Sequence, residues 1–148
     1  MNCHERLSTP RKIRLATLCR AHDISALYAF GSRAKEALNW LESSITGMTG
    51  STSDLDLGAL PDKGIRLPTR RIVNLTTALE DLFDVPRVDL VILPQAPPFL
   101  ASNIIQGERL YAVDEDRADE YDLYILRRAG DLLPLHRERV NLILGGQT

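Results

Sequence analysis

The chain has 148 residues, 44% of them apolar and 26% charged, with a formal net charge of -2. That profile suits one globular domain with enough apolar material for a core, and it excludes the disordered and fibrous classes. A charge balance so near neutrality leaves no global basic signature for nucleic acid or an anionic membrane.

The opening MNCHERLSTPRK lacks the apolar run of a signal peptide, and no window approaches the roughly 18 consecutive apolar residues of a membrane span. Cys3 and Cys19 fit no paired metal spacing and read as reduced thiols, so a cytoplasmic protein is expected. In STPRKIRLATLCRAH, Thr9 is placed to cap a helix whose first residue is Pro10, and Leu15, Leu18, Cys19 and His22 share one face. ISALYAFGS is a short β-rich run ended by Gly31, and RAKEALNWLES predicts a helix from near Ser32. Ser43 to Thr52 is a Gly, Ser and Thr cluster, hence a loop.

SDLDLGAL then reads as a strand and TRRIVNLTTALEDLF as an amphipathic helix burying Ile72, Leu75, Leu79 and Leu82. VPRVDLVIL is a further strand, FLASNIIQG a helix with Gly107 as its candidate cap, and RLYAV a short strand. From Asp114 to Leu144 the pattern is helical, with a kink or split expected around Gly130 to Pro134. The acidic run DEDRADEYD reads first as a solvated face at a helix start, and Tyr121 and Tyr124 as core or partner contacts. The alternation predicts a single α/β domain.

The strand SDLDLGAL carries the first chemical signal. Side chains alternate along a strand, so Asp54 and Asp56 share a face, their Cα atoms roughly 6.5–7 Å apart. Leu55 and Leu57 point the other way, into a core. Asp89 is flanked by Val88 and Leu90 in the same manner, so three carboxylates converge if the two strands are neighbours. Carboxylates so close repel unless a cation is present. Two divalent ions about 3.5–4 Å apart on such a set would suit displacement at phosphorus, and all-oxygen ligation favours Mg²⁺ or Mn²⁺. An Asp-x-Asp pair alone is commonly structural. A calcium loop is excluded, because Ile65 stands where a bidentate Glu is required.

LYAFGSRAKEAL adds a second signal. A strand ending at Gly31-Ser32 with a helix starting at once gathers backbone N–H groups at a positive helix end, which accepts phosphate. Gly31 allows close backbone approach, and Ser32 offers a hydroxyl. Arg33 and Lys35 lie where positive charge is unfavourable for the helix itself, a penalty that an anionic ligand would offset. Either signal alone is weak; their order along the chain is the evidence.

In that order, FGSRAKEA, SDLDLGAL and RVDLVIL resemble the three motifs of the minimal nucleotidyltransferase (MNT) antitoxins of the DNA polymerase β-like superfamily. The resemblance covers nearly the whole chain, including the closing strand and helix. It implies a single-domain nucleotidyltransferase fold over 1–148, a mixed β-sheet flanked by helices with a C-terminal helical tail over 114–144. It implies transfer of AMP from ATP with two Mg²⁺ ions: Gly31, Ser32 and Arg33 hold the triphosphate, Asp54 and Asp56 bind metal, and Asp89 is the third, metal-binding carboxylate that activates the acceptor hydroxyl. The implied partner is a HEPN-domain toxin, modified on a tyrosine and neutralised.

Two departures from the family stand out. Residues 33 to 53 separate the turn from the first Asp, a longer gap than the family's, so an inserted flexible loop is expected over 43–52. It reads equally as a flap over the nucleotide, a partner contact or a solvated excursion. Position 36 is Glu where the family often has Gly. A non-catalytic binding antitoxin that retains the fold is the alternative function. A small-molecule nucleotidyltransferase lacks an evident second domain for its acceptor. His4, His22 and His136 are too dispersed for a metal site, and Arg70 and Arg71 too few for nucleic acid.

Overall fold

A computed structural model describes residues 9–43 and 54–143, with side chains as far as Gly130. Cys3, His4, the loop expected over 43–52 beyond Ser43, and the His136 side chain lie outside the described residues. Helix α1 (Pro10–Ala21) starts as its sequence dictates: the Thr9 side chain accepts the Lys12 N–H, and Pro10 fills the first position, where its missing N–H costs nothing. Its buried positions are Leu15 and Cys19. Burial pushes the Cys19 thiol up to about 12, which leaves it an inert core residue.

The remaining elements follow in chain order. Strand β1 (Ile24–Phe30) passes through a 3₁₀ turn, Gly31–Arg33, into α2 (Ala34–Glu42). Strand β2 (Leu55–Pro61), α3 (Thr69–Phe83) and β3 (Val88–Ile92) come next. A second 3₁₀ turn, Leu93–Gln95, leads to α4 (Pro98–Ile105), β4 (Glu108–Ala112) and α5 (Glu115–Ile143). The strands form one mixed sheet in the order β3-β2-β1-β4, with β1 antiparallel to β2 and β4, and β2 parallel to β3.

Period-two alternation gives the sheet two different faces. Leu27, Ala29, Leu55, Leu57 and Val88 pack with Leu15 of α1, Leu41 of α2, and Leu75, Leu79 and Phe83 of α3. Leu55 and Leu57 are fully buried, so truncating either to Ala would cost about 2–5 kcal/mol. Arg11 clasps this layer from outside, its guanidinium 3.4 Å from the centroid of the Trp40 ring, while the Trp40 indole donates to the Leu82 carbonyl at 3.0 Å. The opposite face is only partly covered: Ala26 and Tyr28 pack with Ala101 and Ile104 of α4 and Ile125 of α5. Gly58 is the seat for α4, since a Cβ there would lie 2.4 Å from Ile104 Cγ2.

Three expectations are revised. Helix α5 is not split between Gly130 and Pro134 but runs unbroken to Ile143. A proline removes one N–H from the ladder, and the good helix formers on both sides carry the helix past it. Gly107 is not a left-handed cap: Gln106 holds the cap position, and Gly107 is required because a Cβ would lie 2.2 Å from the Ala29 carbonyl oxygen. The acidic run is not simply a solvated face, since three of its carboxylates converge on Arg109. Among the described residues no helix is long and apolar enough to cross a membrane.

Candidate active site

The uncovered part of the second sheet face carries the carboxylates. Strands β2 and β3 are neighbours, and their register sets Asp56 directly beside Asp89. Asp54 immediately precedes β2, one pleat before Asp56, where the Leu55 N–H donates to the Arg87 carbonyl at 3.2 Å. The three acidic residues read from the sequence are therefore brought to one edge of one face. Their mutual influence is electrostatic as well as spatial. Burial holds the Asp56 carboxyl above its ordinary value, and the charges of Asp89 and then Asp54 push the same way.

The glycine turn meets this cluster through the antiparallel pairing of β1 with β2. Phe30 pairs with Asp56, which brings the next residue, Gly31, against the same carboxylate. Gly31 has φ +75°, a left-handed conformation that a side chain would strain, and a Cβ there would lie 2.8 Å from Asp56 Oδ2. Conformation and space thus require glycine together. Ser32 is exposed beside it, at the start of the turn into α2.

Arg33 sits differently from its neighbours. It is 5% exposed, and its Nε and Nη2 donate to Glu36 Oε1 at 3.1 and 2.7 Å. The positive charge that the sequence places at this helix start is met within the chain by Glu36, the residue that departs from the family pattern. Arg33 and Glu36 fix the turn from beneath, while Gly31 and Ser32 present it.

Asp54 Oδ2 lies 3.4 Å from Arg87 Nε. Arg87 was not singled out in the sequence, although its place two residues before Asp89 was the available signal. Among the described residues Asp56 and Asp89 have no ion-pair partner. The donor set is all carboxylate oxygen with surplus negative charge, which fits a hard divalent cation. Among the described residues no three Asp, Glu, His or Cys side chains are already gathered closely enough to hold an ion. A cavity of about 840 Å³ opens at the far end of β2, lined by Leu60, Pro61, Val113 and Tyr121, and no residue of the candidate site borders it.

The second charged constellation also escaped the sequence. Arg109 on β4 donates to Glu115, Asp119 and Asp122 at 2.7, 2.9 and 2.7 Å, and the Tyr28 hydroxyl donates to Asp122 at 2.6 Å. Burial works to lower the proton affinity of Arg109, and its hydrogen bonds to Asp119, Glu115 and Asp122 overcome that and raise it. This network ties α5 to the sheet through both terminal nitrogens of Arg109, while its buried Nε has no hydrogen-bond partner among the described residues. The alternation of ERLYA marks Arg109 as one face of a strand, but nothing in the sequence says which acids reach it.

A family model described as polymerase beta, nucleotidyltransferase matches residues 14–116. No curated protein matches the chain. Among solved structures, a mutant of the toxin–antitoxin MntA–HpeT is similar with a TM-score of 0.66 and 18% identity, over 90% of this chain and 98% of the other. A toxin–antitoxin with AMP-PNP gives 0.65 and 18%, over 90% and 98%. The tri-AMPylated Shewanella oneidensis HEPN toxin in complex with MNT antitoxin gives 0.63 and 17%, over 90% and 96%. At these identities the likeness is one of fold.

Proposed function

The chain belongs to the polymerase beta nucleotidyltransferase family, and from that premise we propose that it is an antitoxin that transfers AMP from ATP to a tyrosine hydroxyl of a partner HEPN-domain toxin. The observation that carries the reading is the meeting of three sequence motifs at one place: Asp56 in register with Asp89, and Gly31 against Asp56. The fold shared with a toxin–antitoxin with AMP-PNP and with the MNT antitoxin in complex with a tri-AMPylated HEPN toxin supports the choice of nucleotide and acceptor.

In this reading the backbone of Gly31 and the hydroxyl of Ser32 bind the triphosphate, and the Arg33–Glu36 pair keeps the turn in shape. Asp54, Asp56 and Asp89 would hold divalent ions, Mg²⁺ or Mn²⁺. Such ions supply charge neutralisation at the phosphates and lower the pKa of the attacking oxygen. Asp89 takes the proton of the acceptor hydroxyl. The acceptor oxygen then bonds to the α-phosphorus as the bond to the β-phosphate oxygen breaks, and pyrophosphate leaves. Phosphoryl transfer asks the protein for positioning and charge compensation, which a rigid strand pair and a fixed turn provide.

The test is incubation with ATP labelled on the α-phosphate, Mg²⁺ and a co-expressed HEPN-domain protein. Label on a tyrosine of the partner, lost in an Asp54→Ala, Asp56→Ala double variant, is the expected result. No label, with full neutralisation retained by the double variant, would leave a binding antitoxin that acts by contact alone.

A further inference from the structure

The ion pair at the edge of the site has a place in its chemistry. We infer that Arg87 is a displaceable counter-cation: it pairs with Asp54 in the metal-free protein and must be displaced when a divalent ion takes that carboxylate. This rests on the metal-binding role proposed above for the three aspartates.

Position is the first argument. Arg87 directly precedes β3, and its carbonyl accepts the N–H of Leu55, the residue after Asp54. The two side chains are thus held side by side by a strand register rather than meeting by chance. Selectivity is the second. Three carboxylates share the site, and among the described residues only Asp54 has an ion-pair partner, Arg87 Nε at 3.4 Å. A group that neutralises one of three leaves a surplus of negative charge for an incoming cation.

Strength is the third argument. The Arg87 side chain is 74% exposed and that of Asp54 40%, so water screens the pair and its hold is weak. A tight, buried pair would exclude metal; this one yields to a doubly charged ion making a direct bond. With Asp54 engaged by Arg87, no three acidic donors are gathered for an ion among the described residues. In the proposed exchange, release of Arg87 frees Asp54 to join Asp56 and Asp89 around the ion.

Mn²⁺ titration followed by electron paramagnetic resonance tests this, with and without a non-hydrolysable ATP analogue, on the parent chain, Arg87→Met, Arg87→Lys and Asp54→Asn. Arg87→Met should bind Mn²⁺ roughly two- to fivefold more tightly, the scale of an exposed ion pair, with Arg87→Lys close to the parent. The difference should shrink as ionic strength rises. The melting-temperature rise on adding Mn²⁺ should be larger in Arg87→Met, a readout independent of activity. Unchanged affinity in Arg87→Met would overturn the exchange alone. Weaker affinity would overturn it too, placing Arg87 among the ligand-binding groups. No Mn²⁺ bound by the parent under either condition, or undiminished binding by Asp54→Asn, would overturn the metal-site reading on which the inference rests.

Discussion

Glu115, Asp119 and Asp122 share the guanidinium of Arg109 at hydrogen-bond distance, whereas among the described residues Asp54, Asp56 and Asp89 have only an exposed arginine 3.4 Å from one of them. The two acidic clusters contain the same number of carboxylates, one set carried by β2, β3 and the residue before β2, the other by α5 against Arg109 of β4. One has its cation built in, with a tyrosine hydroxyl donating to Asp122, and its task is to fasten a helix. The other keeps surplus negative charge beside a glycine turn, where burial and then the charges of Asp89 and Asp54 raise the proton affinity of Asp56. On the proposed reading the difference separates a structural cluster from a site: the first has its carboxylates paired within the chain, and the second would be completed from outside.

The largest expected effect comes from breaking the open cluster. Asp56→Asn should lower AMP transfer by at least about 10³-fold, since it removes a central ligand of the proposed ions and the carboxylate beside the phosphate turn. Thermal stability measured in EDTA should be unchanged or slightly higher, because a repulsive charge is gone. A large loss of stability in this variant would show that Asp56 holds the fold together, and the reading as a metal site would fall.

Breaking the closed cluster should do the reverse. Arg109→Met strands three carboxylates, two of them well exposed, and should cost about 2–3 kcal/mol in denaturant unfolding, somewhat below the value for a fully buried pair. Transfer per folded molecule should stay within about twofold of the parent, as nothing in that network reaches the aspartates. A milder version of the same break is Tyr28→Phe, which deletes one hydroxyl and should cost about 1 kcal/mol. If either variant lost transfer in proportion to Asp56→Asn, the separation of the two clusters would be wrong.

The same comparison shows what the sequence could and could not say. Local rules sufficed for α1, with its Thr9 cap and Pro10, and for α3, whose period placed Leu75, Leu79 and Leu82 inside. The open cluster was legible because its parts are short motifs whose spacing follows from strand alternation and turn geometry: Asp54 with Asp56, and Gly31 with Ser32. The closed cluster joins β4 to α5, and Tyr28 joins it across 94 residues of sequence. No local pattern encodes such a meeting. Gly107 was misread for the same reason, since its constraint is the Ala29 carbonyl of a distant strand. Pro134 was overweighted because a local rule, one missing N–H, was set against a helix that continues on both sides.

The smallest effect separates the clusters by pH. The Asp56 carboxyl is raised in the folded chain by burial and by Asp89 and Asp54, and in the unfolded chain it returns to its ordinary value. Between those two values the folded state binds more protons than the unfolded state, so stability falls as pH rises through the folded value. At neutral pH without metal, Asp56→Asn should therefore be the more stable protein by roughly 0.2–0.5 kcal/mol, the scale of like charges on a partly exposed surface. That advantage should fade as pH falls through the raised Asp56 value toward the ordinary carboxylate value, as the parent carboxyl takes up its proton in the folded chain. Unfolding followed in EDTA across this range would measure it. Added Mg²⁺ should reverse the sign at neutral pH, since the parent carboxylate then gains a partner that the amide does not bind as well. A parent chain already more stable than Asp56→Asn in EDTA would mean that Asp56 has its cation within the chain, and the two clusters would then be alike.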